Sequence, residues 1–257
     1  MTQAPGAAAD PSVTAGPVQV PAEVRSLLGP AQVRVQVEGR RADVVLDAPE
    51  RRNSQSPATW RALAAVGAWL PSVCDVAVLR AEGPSFSAGL DRRAFTPEGI
   101  AGEPGLLQLA GLPPAEVDRI IDGFQRAFTC WAGDGFVTVA AVQGHAVGAG
   151  FQLALACDLR IAADDAMFAM RETSLGLVPD LAGTSPLVAA VGYPRALEIC
   201  ATGRWVPAEE ALRLGLVQQV VPVGGLAAAV DQLAGALLAA PRDALLATRT
   251  LLRDASG

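Results

Sequence analysis

Val142-Gln143-Gly144-His145-Ala146-Val147-Gly148-Ala149-Gly150-Phe151-Gln152 carries an apolar strand, Phe136–Val142, into a glycine-rich turn and out along a helix, Gly148–Ala156. Glycines let the backbone come close to a ligand. The first N–H groups of a helix have no internal partner and sit at its positive dipole end. The turn is therefore a ready site for an anion or an oxyanion. Close packing of the helix on its neighbours explains the same glycines equally well.

Two further segments share this character. Phe86-Ser87-Ala88-Gly89-Leu90-Asp91 follows an apolar strand at Asp75–Arg80 and again joins small residues to a turn. Met170-Arg171-Glu172 through Asp180-Leu181-Ala182-Gly183-Thr184 places two carboxylates, Glu172 and Asp180, in an otherwise apolar stretch. Two acids there can form a general acid/base pair. A salt bridge, or Asp180 capping the helix that follows, is the plainer account of either one alone.

Outward from these segments, the pattern is strand, turn, strand, helix, strand, then a second such cycle. Val33, Val35 and Val37 alternate with polar residues and lead through Glu38-Gly39-Arg40 to a second strand, Ala42–Leu46, as in a hairpin. Pro57–Leu70 reads as a helix with Ser56 as N-cap and Pro57 at its first position. Ala115–Trp131 has helical apolar spacing; Leu159–Ala162 and Met167–Met170 read as strands. After Pro186 the chain is mostly helical, broken by a short strand at Leu216–Val221. The fold class is α/β with a helical C-terminal part. The expected division is a weakly ordered arm over 1–30, disordered over Met1–Pro17 with a short helix at Pro21–Leu28, then a core over 31–192 and a helical part over 193–257.

Composition removes several classes of function. The net charge is −6 with both signs mixed along the chain, so no basic face for nucleic acid is expected. All 20 basic residues are Arg, which excludes lysine Schiff-base and P-loop lysine chemistry. The four cysteines form no C-x-x-C pair and read as buried free thiols, so no metal site is expected. No apolar run is long enough to span a membrane, and the basic start and apolar segment of a signal peptide are missing. A cytoplasmic location without membrane partners is the expectation.

Taken in order, the three segments resemble the crotonase (enoyl-CoA hydratase/isomerase) superfamily from Val33 to Arg253. Pro49-Glu50-Arg51-Arg52-Asn53, Ala156-Cys157-Asp158-Leu159-Arg160-Ile161-Ala162, Leu175-Gly176-Leu177-Val178-Pro179 and Thr202-Gly203-Arg204 extend the likeness. The resemblance implies a spiral of ββα turns, with 193–257 a trimerisation part, assembled as trimers that commonly pair into hexamers. It implies an acyl-CoA thioester substrate, with coenzyme A part of that substrate and no other cofactor. The thioester carbonyl would accept from the N–H groups of Leu90 and Ala149. Arg52, Ser87, Ala88, Asp91, Gly148 and Gln152 would meet the substrate or its CoA moiety.

Hydratases of this family use two glutamates around a water. The second matches Glu172; the first matches Gln152, whose amide can hold a water or substrate group but cannot act as a base. Asp180 occupies a position resembling the second carboxylate of the dienoyl-CoA isomerases. A 4-chlorobenzoyl-CoA dehalogenase nucleophile also lies near it, but the partner histidine of that chemistry has no match, because His145 belongs to the turn. The expectation is double-bond migration in an enoyl- or dienoyl-CoA, with Glu172 and Asp180 catalytic. Hydration of 2-enoyl-CoA with one family glutamate, and a non-catalytic acyl-CoA-binding or partner protein, are the alternatives. The chain stops soon after the Arg242–Arg253 helix, so the acyl group is expected to be lined chiefly by Phe95–Trp131.

Overall fold

The computed structural model describes residues 18–100, 102–103, 109 and 111–255; the arm expected over Met1–Pro17 lies outside them. Helix α1 (Ala22–Ala31) takes in most of the short helix expected at Pro21–Leu28 and buries Val24, Leu28 and Ala31. Strands β1 (Val33–Glu38) and β2 (Arg41–Leu46) form the expected antiparallel hairpin, with Val37 opposite Ala42.

Helix α2 (Pro57–Trp69) starts where its sequence dictates. Ser56 Oγ accepts from Thr59 N, Thr59 Oγ1 accepts from Ser56 N, and Pro57 opens the first turn. These bonds satisfy donors that a helix start leaves free. Strand β3 (Val76–Ala81) follows, then helix α3 (Pro114–Thr129), strands β4 (Val137–Val142) and β5 (His145–Val147), and helix α4 (Ala149–Ala156). Strands β6 (Leu159–Ala163) and β7 (Met167–Ala169) close the second cycle.

The C-terminal part holds helices α5 (Thr184–Val191), α6 (Tyr193–Thr202), α7 (Ala208–Arg213), α8 (Leu226–Leu238) and α9 (Arg242–Asp254), with strands β8 (Val206–Pro207) and β9 (Gln219–Val221). The strand expected at Leu216–Val221 is shorter, because Leu216 N instead turns back to Ala211 O.

Six strands make the main sheet in the order β1-β2-β3-β4-β6-β9, all pairs parallel except the hairpin. β5, β7 and β8 make a second, three-stranded sheet. After the first cycle, the chain passes from β4 to β5 and from β6 to β7, leaving the main sheet for the small one each time, and it returns at β9, which fits the α/β spiral that the resemblance implies. The period of two along β3 sorts its residues: Ala77 and Leu79 face the main core, whereas Val76 and Val78 pack with Leu226 and Val230 of α8. Burying a side chain such as Leu79 contributes about 1.5–3 kcal/mol.

Charge fastens the last helix. Arg249 Nε donates to Asp158 Oδ2 at 2.8 Å, and Arg249 Nη1 donates to Gly133 O at 2.8 Å. The same Asp158 oxygen accepts from Thr138 N and Oγ1. Arg160, also buried, donates to Leu216 O and Cys157 O at 2.6 Å each. The Cys157–Ile161 part of the resemblance is therefore a structural brace.

Candidate active site

The Ser87–Asp91 segment is threaded between two other strand edges. Ser87 N donates to His145 O and Val147 N donates to Ser87 O, while Gln55 N donates to Gly89 O and Asp91 N donates to Gln55 O. In such parallel pairing the residue between the bonded groups turns its own N–H the other way. Leu90 is that residue, and among the described residues its N–H meets no backbone acceptor. Gly148 N is tied to Ala169 O, so the first free donor of α4 is Ala149 N.

Glycine is required where the two strands of backbone meet. Gly89 has φ +82°, and a methyl group there would lie 2.4 Å from Val147 O. At Gly150 it would lie 2.5 Å from Ser87 O. Both accounts of these glycines hold: they permit close packing, and that packing brings the two donor segments together.

Leu90, Gly148 and Ala149 line a cavity of about 890 Å³ that also takes in Glu172, Gln152 and Asp180. Its far wall is apolar, with Trp60 and Phe95 joined by Val117, Ile121 and Phe124 of α3. Trp60 and Phe124 stack at 4.7 Å between ring centroids. Arg92, Asp118 and Arg171 supply charge around the lining. Phe95 and the α3 residues thus form part of the lining, alongside segments on either side of the expected Phe95–Trp131 region.

Glu172 opens a 3-10 turn, Glu172–Leu175, directly after β7. Its Oε1 accepts from Gln152 Nε2 at 2.7 Å; its Oε2 is buried with no hydrogen-bond partner. Burial pushes its pKa up, backbone N–H dipoles and the Gln152 amide oppose the rise, and the like charge of Asp180 adds to it. Asp180 lies on the loop before α5, where Gln125 Nε2 of α3 donates to its backbone oxygen at 2.7 Å. Desolvation by the cavity walls raises its pKa as well. Asp180 is exposed by area, so solvent screens it better than Glu172. It does not cap α5, whose N-cap is Gly183.

Three residues expected to meet the substrate have their polar atoms engaged within the protein. Ser87 is fully buried: its Oγ donates to Asn53 O and accepts from Gln55 Nε2 and Gly89 N, so it braces the turn. Asp91 caps the 3-10 turn Arg92–Phe95 and binds Arg93, which holds its carboxyl below the usual range. Gln152 lines the cavity, but both ends of its amide are engaged within the protein. Its Oε1 accepts from Leu181 N and Gly183 N, and its Nε2 is spent on Glu172.

The remaining calls fall on both sides of the cavity wall. Ala88 lines the cavity, with its N–H held by Arg52 O. Arg52 contributes that carbonyl from a left-handed backbone, φ +52°, while its exposed side chain lies off the cavity lining. His145 packs edge-on against Trp205 and contacts Ser85 Oγ, away from the cavity. The role of Gln125 was not visible in sequence, because it depends on α3 crossing the Asp180 loop.

A family profile described as enoyl-CoA hydratase/isomerase matches residues 41–256. The chain belongs to that family. Among enoyl-CoA hydratase/isomerase structures, a Thermobifida fusca YX protein carrying the enoyl-CoA hydratase name, in complex with acetoacetyl-CoA, is 43% identical to this chain. Its TM-score is 0.86, over 90% of this chain and 89% of that one. The hydroxycinnamoyl-CoA hydratase-lyase of Pseudomonas fluorescens is 32% identical over 209 residues, 80% of this chain and 72% of its own. The enoyl-CoA hydratase named echA8 of Mycobacterium bovis is 46% identical over 89 residues, only 35% of either chain. This chain thus spans about a third of that curated relative's length in the match, though it covers most of the solved structures.

Proposed function

We propose that this chain moves a double bond within an enoyl- or dienoyl-CoA thioester by proton transfer through an enolate. One observation carries the reading: Glu172 and Asp180, both with raised pKa, open onto the same apolar cavity as Leu90 and Ala149. The thioester oxygen would accept from Leu90 N and Ala149 N. That makes the carbon next to the carbonyl, or its vinylogous equivalent, more acidic. Glu172 takes the proton, and the electron pair moves onto the thioester oxygen, where fixed donors need no reorganisation. One such donor is worth about 3–4 kcal/mol. Glu172 or Asp180 returns a proton to a carbon farther along, so nothing is consumed.

The test is incubation with a 3-enoyl-CoA in deuterated water. The expected product is the 2-enoyl-CoA, with deuterium at the position that receives the proton. Water addition to 2-enoyl-CoA without any double-bond migration would overturn the reading. Hydration remains the second reading because relatives carry the hydratase name; that name belongs to them, and Gln152 replaces one of the two family glutamates.

Assembly into trimers is part of the proposal. Its support is a run of exposed apolar side chains, including Leu175, Val178, Tyr193, Leu197 and Trp205, on the elements around the site. A patch of this kind marks an interaction surface. A solution mass equal to one chain would overturn it.

A further inference from the structure

The residue that departs from the hydratase pattern is also the one that joins the two candidate acids. Gln152 is 1% exposed and uses both ends of its amide. Nε2 donates to Glu172 Oε1 at 2.7 Å; Oε1 accepts from Leu181 N at 3.0 Å and from Gly183 N at 3.2 Å. Those two N–H groups flank Ala182, whose backbone is held at φ +63°. The fit is close, since a methyl group on Gly183 would lie 2.5 Å from Gln152 Cγ.

A glutamate at 152 could satisfy the two N–H groups with one oxygen. Its other oxygen would then face Glu172 Oε1, acceptor against acceptor, and the pair could coexist only around a shared proton. The amide removes that conflict. It also gives the Glu172 carboxylate its side-chain donor, at Oε1, while Oε2 is buried without a hydrogen-bond partner.

We propose that Gln152 is a positioning residue that holds the Glu172 carboxylate through Oε1 and ties the Asp180 loop to the same side chain. The direct 2.7 Å contact has no room for a water between residues 152 and 172. The nucleophile of hydration therefore has no seat there. The inference rests on Glu172 being the proton-transfer group and adds how its carboxylate is held. The proton leaves carbon for that carboxylate as the electron pair moves to the thioester oxygen, and it goes back to a second carbon when that pair returns.

Glu172 is faced by Asp180 from the loop and by the Cys200 thiol from α6, whose pKa burial and Glu172 both raise. Arg171 lies beside it in sequence, but its guanidinium donates to Gly203 O. None of these supplies the donor that Gln152 gives Oε1.

The experiment compares full-length wild type, Gln152→Glu and Gln152→Met. Carbon-13 NMR follows the glutamate side-chain carboxyls, with the Glu172 signal identified by its loss in Glu172→Gln. Thermal melts establish that each variant is folded. In Gln152→Glu, the Glu172 signal is expected to titrate in two coupled steps, the upper one at least about one pH unit above wild type. In Gln152→Met, where the donor to Glu172 is lost together with the acceptor for Leu181 N and Gly183 N, the midpoint also rises. Isomerase kcat at neutral pH should fall about tenfold or more in both, with KM changed less than about threefold. An unmoved Glu172 midpoint in both folded variants would reduce Gln152 to a loop brace and overturn the proposal. If wild type proves to have no isomerase activity, the proposed reaction fails, and the titration still decides the role of Gln152.

Discussion

A methyl group placed on Gly148 would lie 3.1 Å from Glu172 Oε1, so the candidate base sits over the turn that presents Ala149 N. Gly148 also has φ +51°, which penalises any side chain. The candidate base and the proposed oxyanion donor are therefore set against one another by a single residue without a side chain.

Gly148→Ala is expected to lower kcat/KM by roughly 100- to 1000-fold, the cost of one misaligned donor. Gly29→Ala is the control, because nothing lies within 4 Å of the added methyl group and α1 is far from the cavity. Steady-state kinetics with a 3-enoyl-CoA, alongside circular dichroism, read both. Equal activity in the two variants would remove the turn from the mechanism.

Glu172→Gln should abolish most turnover, by about 10²- to 10⁴-fold, and should raise stability at neutral pH. Folding raises the pKa of Glu172. Above the unfolded value of about 4.3 and below the folded one, the native chain holds more protons than the unfolded chain. Wild-type stability therefore falls as pH rises through that window and does not recover above it. The variant escapes this loss: melting curves should coincide below about pH 4 and separate in its favour near pH 7. A variant less stable than wild type at neutral pH would contradict the burial of this carboxylate.

Asp180→Asn tests the second acid. If Asp180 shares the proton transfer, isomerisation should fall by about 10²-fold or more while thioester binding, measured by calorimetry with acetyl-CoA, stays close to wild type. Full isomerase activity would leave Glu172 as the only acid in the reaction.

Arg249→Ala addresses stability away from the site. Removing the guanidinium strips Asp158 of its cationic partner, leaving it the two Thr138 donors, and takes the Arg249 donor from Gly133 O. Breaking one side of a buried ion pair costs about 3–5 kcal/mol. Denaturant unfolding should show a loss near the lower end, since the Asp158 side chain is 18% exposed.

Much of this was legible in the residues. The alternation of Val33, Val35 and Val37 gave the first strand, Ser56-Pro57 the start of α2, and the glycine turns the two donor segments. Side-chain direction was not. Ser87 and Asp91 belong to a substrate-contacting segment by sequence, yet a short polar side chain beside bent backbone is often consumed by that backbone, as both are here. Gln152 was legible as a departure but not as a bridge, because Leu181 and Gly183 reach it only when the loop folds back. Gln125 gave no local signal at all.

The proposed thioester cradle has a consequence for descent. Its proposed donors are main-chain atoms of Leu90 and Ala149, which no substitution short of proline can delete. The groups proposed to decide the reaction, residues 152, 172 and 180, are side chains. On this proposal, mutation can rewrite the chemistry at these three positions while the grip on the thioester is inherited intact. A lineage built this way can trade one reaction for another without passing through an ancestor that fails to bind.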